Sequence, residues 1–78
     1  MENPITIKLI KKITSHVGLA RFLANVEMEP KREIPRIDYI PSPYCFSPTH
    51  TTWMMGDKEI FWVETSHKVY EVFELISY

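Results

Sequence analysis

Cysteine is nearly absent. Cys45 stands alone, so no internal disulfide can form and the fold must rest on its packed core. A lone thiol also fits a reducing compartment. Only two glycines occur, Gly18 and Gly56, which excludes a Gly-rich phosphate loop or a dinucleotide fingerprint. Long apolar runs are missing as well. The longest, Ile60-Phe61-Trp62-Val63, is far too short to span a bilayer, and the N-terminus has no signal-peptide pattern. The expectation is a soluble, cytoplasmic chain. Helix-rich composition is lacking too, with two alanines and four leucines.

What replaces them is β-branched. Nine Ile, five Val and six Thr make up about a quarter of the 78 residues, a balance that suits strands better than a helical bundle. The hydrophobic fraction of 45% and the charged fraction of 24% are those of a globular chain, which excludes a disordered tail. The length allows one domain, 1–78, with a core worth only about 3–5 kcal/mol. The net charge is −1, but residues 1–39 carry +2 and residues 40–78 carry −3. A general nucleic-acid binder shows a plainer basic excess, because its affinity comes from neutralising phosphates.

Along the chain, residues 5–24 admit two readings. Asn3 and Pro4 can open a long helix with Ile5, Leu9, Ile13, Val17, Ala20 and Ala24 on one face. Alternatively, Ile5, Ile7, Leu9 and Ile13 alternate with polar residues as a strand. Ser15-His16-Val17-Gly18 then turns the chain, and Leu19 to Glu27 returns as a second strand. Six β-branched residues in positions 5–14, together with Gly18 in the middle, favour the hairpin. Residues 30–50 hold five of the six prolines and read as a loop containing an edge strand over Glu33 to Ile40. Thr51 to Met55 and Lys58 to Glu64 read as strands joined by a tight Gly56-Asp57 turn, the second covered on both faces. Thr65-Ser66 can cap a terminal helix, with Val69, Val72, Phe73 and Ile76 at i, i+3, i+4 and i+7. The fold expected is therefore α+β: a small twisted antiparallel sheet of about four or five strands with one C-terminal helix.

The run from Thr51 to Ile76, with Ile7-Lys8-Leu9 and Phe22-Leu23-Ala24-Asn25-Val26 at the front, resembles small proteins of the flagellar FlbD-like family. The resemblance covers about two-thirds of the chain and rests on a pattern of apolar residues. It implies a basic Ile-rich strand, a turn and an apolar strand, then a strand–turn–strand and a short helix. It brings no biochemical activity to carry over, and similar small proteins occur in phage genomes.

No chemistry of catalysis or metal binding stands out. Cys45 and His50, with His16 and His67 scattered elsewhere, lack zinc-ligand spacing. Cys45 lies between Tyr44 and Phe46, which reads as an inert, partly buried thiol. No acid, base and nucleophile are grouped, so neither an enzyme nor a cofactor is expected. The aromatics are more informative. Arg36, Tyr39, Tyr44, Phe46 and Trp53 cluster in or beside the proline-rich segment, and aromatics with Arg are the usual anchors of protein interfaces. The alternative is that these rings fold back over an open side of the sheet. The first functional reading is a non-enzymatic module, an accessory protein of a phage or bacterium, that binds a protein partner through those five residues. The second is a nucleic-acid-binding regulator using a basic face of Lys8, Lys11, Lys12 and Arg21. Neither reading needs a membrane, and self-association is left open.

Overall fold

A computed structural model describes residues 5–37 and 48–77. Its elements are β1 (Thr6–Ile13), α1 (His16–Leu23), β2 (Pro30–Pro35), β3 (Thr49–Met55), β4 (Lys58–Ser66) and β5 (Val69–Ser77). Among the described residues the class is α+β, with one antiparallel sheet in the order β1-β5-β4-β3-β2. Strands β2 to β5 follow one another as a meander. β1 lies at the far edge beside β5, so the Ile-rich start and the acidic end share one sheet. The chain must then cross from one edge to the other between β1 and β2, and α1 makes that crossing over one face.

Two expectations are corrected. Residues 69–76 are the strand β5 and not a C-terminal helix. β5 lies between β1 and β4, and both of its faces are covered in part, so it carries apolar residues on each. Tyr70 and Val72 belong to the α1 side, and Phe73 and Leu75 to the other. A strand apolar on both faces will match helical spacing by coincidence. The helix instead falls mid-chain, where a return strand over Leu19 to Glu27 was expected. Neither that hairpin nor the long helix over 5–24 occurs: β1 finds its partner in β5, and α1 follows it.

Why α1 forms is plain once the cap is recognised. Ser15 has extended backbone, and its Oγ accepts a hydrogen bond from the Gly18 N–H at 3.0 Å. A cap of this kind is worth about 1 kcal/mol. Leu19, Phe22, Leu23 and Val26 then recur at i, i+3, i+4 and i+7 and pack on the sheet. Gly18 sits close to the end of β1: a Cβ there would stand 3.1 Å from Ser15 Oγ and 3.3 Å from Ile13 Cγ2.

The sheet has an apolar core on each face. On the α1 side, Ile13, Phe22, Val26, Ile60 and Val72 are buried, with Trp53, Met55 and Trp62 packed around them. Phe22 meets Trp62 edge-on at 5.6 Å between ring centroids, and Trp62 stacks on Trp53 at 5.8 Å. On the opposite face, Ile34, Ile37, Phe61, Val63 and Phe73 are buried. There the His50, Phe61 and Phe73 rings stack in a row across β3, β4 and β5, at 5.0 and 5.5 Å. Burial of such side chains contributes ~1.5–3 kcal/mol each, as an upper estimate.

The turns follow local chemistry. Gly56 opens the two-residue β3–β4 turn at φ 65, while Asp57 keeps negative φ, as in a type II′ turn. Lys68 occupies φ 62 in the β4–β5 turn. Both sheet edges are guarded against further pairing. β2 begins and ends on Pro and carries Lys31, Arg32 and Glu33 between. β1 carries Lys8, Lys11 and Lys12, with its register broken at Ile10.

Candidate binding cleft

Three cations from separate parts of the chain surround one concavity on the α1 side. The cleft measures about 370 Å³ and is lined by Ile10, Lys11, Arg21, Phe22, Asn25, Met55 and Lys58. Its size lies near the low end of the range of small binding pockets, ~300–1,000 Å³. Ile10, Phe22 and Met55 give an apolar floor. Lys11, Arg21, Asn25 and Lys58 are exposed and form the rim.

The architecture fixes each of these residues. The register shift between Leu9 and Lys11 sets Lys11 opposite Val72 in β5, on the α1 side. The Lys11 ammonium lies 6.0 Å from the centre of the Phe22 ring, within reach of a weak cation–π attraction. Arg21 is carried by the last turn of α1. Beyond the helix, the Glu27 N–H donates to the Met54 carbonyl at 2.9 Å and ties the helix exit to β3. Met55 and Lys58 face each other across the β3–β4 turn.

Among the described residues, the charge of this rim is uncompensated. No carboxylate lines the cleft, and neither Lys11, Arg21 nor Lys58 joins an ion pair among the described residues. Glu74 belongs to the same face of the sheet but pairs in register with Lys8 and does not line the cleft. A helix C-terminus carries partial negative charge on its free carbonyls. Here the Ala20, Arg21, Phe22 and Leu23 carbonyls each accept a hydrogen bond, from the Ala24 N–H, Asn25 Nδ2, the Asn25 N–H and the Val26 N–H respectively. The helix end therefore opposes an anion only weakly.

The residues expected to form a site are distributed differently. Of the basic set, the structure brings Lys11 and Arg21 together and leaves Lys8 and Lys12 apart. Lys8 is opposite Glu74, while Lys12 is opposite Glu71 on the other face. Lys58, which the sequence reading passed over, completes the group. Of the aromatic set, Tyr39, Tyr44 and Phe46 lie outside the described residues, as does Cys45. Trp53 and Arg36 sit at opposite ends of the β2–β3 pair. Trp53 is in register with Pro30, and the Arg36 N–H donates to the Pro48 carbonyl. That separation is about 17 Å at the usual rise of a strand.

A second polar cluster is structural in character. Glu59 accepts from Arg32 Nε and Nη2, each at 2.6 Å, in a two-point clasp, and the buried Thr52 hydroxyl donates to it at 2.6 Å. The Arg32 hydrogen bonds, helped by Thr52, hold the Glu59 carboxyl below its ordinary pKa despite an opposing effect of burial. This clasp joins β2, β3 and β4. His50 is held below its usual pKa by burial and then by the positive charge of Arg36. Among the described residues, no group of three or more His, Cys, Asp or Glu is placed to hold a metal. None of the described helices is long and apolar enough to cross a membrane.

Fold and cleft together define a class, a small α+β domain with a cationic, apolar-floored surface cleft. No protein-family model matches the chain, and no match was found among curated proteins or solved structures.

Proposed function

We propose that the protein is a non-enzymatic, cytoplasmic protein-interaction module, an accessory protein of a phage or bacterium, whose partner docks on the α1 side of the sheet. The observation that carries this reading is the cleft itself: an apolar floor with three cations that have no acidic partner among the described residues. Unpaired charge beside exposed apolar surface is the pattern of an interface waiting for complementary charge. The guarded sheet edges speak against a partner that adds a strand.

The alternative regulator of nucleic acids has less support. Lys8 and Lys12 face glutamates across the sheet, so the basic strand offers no continuous phosphate track. Phe22, the ring of the cleft, is 3% exposed and presents no face to a base.

Affinity capture from cells that carry the gene tests the proposal. The intact chain is compared with an Arg21→Glu/Lys58→Glu variant. A specific protein recovered by the first and lost by the second, with both melting alike, is the expected result. Equal recovery by both removes the cleft as the contact surface.

A further inference from the structure

Three candidates emerge among the described residues. One is the apolar face opposite α1, where Leu9 is 49% exposed beside Ile7 and Leu75. Nothing on that face indicates an occupant. Another is the Arg32–Glu59–Thr52 clasp, whose polar groups satisfy one another. The cleft is different, because its charge and its floor together specify a ligand.

We propose that the cleft takes an acidic peptide segment of the partner, seating one apolar side chain on the half-buried Ile10 and Met55, above the buried Phe22, while flanking carboxylates meet Lys11, Arg21 and Lys58. The inference rests on the reading of the cleft as the contact surface and adds the chemistry of what enters it. A volume of about 370 Å³ admits one or two side chains rather than a folded surface. The cations come from β1, α1 and the start of β4, so three separate elements, and not one strand, bring them to the same cleft. That arrangement suits carboxylates on both sides of a central apolar residue. It does not suit the evenly spaced phosphates of an extended strand. Arg21 adds directional recognition, because its guanidinium can hold a carboxylate by two parallel hydrogen bonds. Asn25 uses its Nδ2 on the Arg21 carbonyl, which leaves its side-chain oxygen for a peptide N–H.

Fluorescence anisotropy with defined probes tests the class of ligand. The first probe is a short labelled peptide of Asp, Glu and a central Leu. The second carries Asn and Gln in place of every acid, the third replaces Leu by Gly, and the fourth is a single-stranded oligothymidine. Only the first is expected to bind well, weakening as salt rises. Lys11→Glu and Lys58→Glu should each reduce its affinity at least tenfold. Lys31→Glu, outside the cleft, should leave it nearly unchanged. All three positions are exposed, and circular dichroism confirms folding of each variant. Equal binding of the Asn/Gln peptide, or tighter binding of the oligothymidine, overturns the assignment. So does indifference to both charge reversals. If cellular capture depends on the rim but the acidic peptide fails to bind, the ligand class falls and the interaction reading stands. If neither depends on the rim, both fall.

Discussion

Replacing Phe22 by Ala tests the step on which the cleft depends, the packing of α1 on the sheet. Phe22 is 3% exposed and lies among Ile13, Val26, Ile60 and Val72. Truncation of a buried Phe costs about 3–5 kcal/mol, combining lost transfer energy with the cavity left behind. Part of that cost is the edge-on contact with Trp62 at 5.6 Å, a geometry worth ~0.5–1.5 kcal/mol. A domain of this size holds about 3–5 kcal/mol in total. The two figures cancel, so Phe22→Ala is expected near its unfolding midpoint at 25 °C, while Phe22→Leu should cost less than about 1.5 kcal/mol. Urea titration followed by tryptophan emission reads this directly, since Trp62 touches the altered site. Ala20→Gly, at an exposed position within α1, supplies the control: a helix there loses ~1 kcal/mol. A cost below about 1 kcal/mol for Phe22→Ala would refute the packing. The cleft would fall with it, because Arg21, Phe22 and Asn25 all come from α1 and its exit.

Acid should destabilise the fold in two phases, with signs fixed by the two shifted groups. His50 has a folded pKa below its ordinary 6.5, so the unfolded chain binds its proton more readily. Its contribution is complete above that value and declines as pH falls through 6.5 towards the folded pKa. Glu59 has a folded pKa below its ordinary 4.5, so its contribution is present above 4.5 and is lost as pH falls from there through the lower, folded pKa. Melting temperature against pH, with His50→Leu and Glu59→Gln each expected to remove one phase, checks both; a flat wild-type profile through the two windows counts against the burial of His50 and the clasp on Glu59. The turns give opposite effects at positive φ. Gly56→Ala should cost about 1–2 kcal/mol through left-handed strain, and the open space around a Cβ there offers no relief. Lys68→Gly should stabilise by up to ~1 kcal/mol as the same strain is removed from the β4–β5 turn. Thermal melts read both, and a neutral Gly56→Ala would mean the type II′ turn is misassigned.

The parts of this fold that were legible in the sequence are those set by short-range patterns. The Ile7-Leu9 alternation, the Gly56-Asp57 turn and the Ile60–Val63 run each determine a strand or turn from neighbouring residues alone. The helix could also have been found. Ser15 is as good a cap as it is a turn residue, and Leu19, Phe22 and Leu23 share a helical face, continued past the helix end by Val26, that β-branched content around them obscured. β5 misled for a deeper reason. Periodicity distinguishes helix from strand only when one face is polar, and both faces of β5 carry apolar residues.

The cleft was not legible, because it depends on register between distant segments. The +2 half and the −3 half of the chain meet along β1 and β5, where Lys8 faces Glu74 and Lys12 faces Glu71. Two of the three lysines of β1 thus stand across from a carboxylate in the neighbouring strand. Lys11 escapes because of the register shift at Ile10. In a regular ladder continuing from Leu9 opposite Phe73, Ile10 would face Val72 and Lys11 would face Glu71. The extra residue instead sets Lys11 opposite Val72 on the α1 side, where Arg21 and Lys58 already stand without acidic partners among the described residues. A single irregularity in one edge strand therefore separates a basic strand balanced by its neighbour from a cationic site.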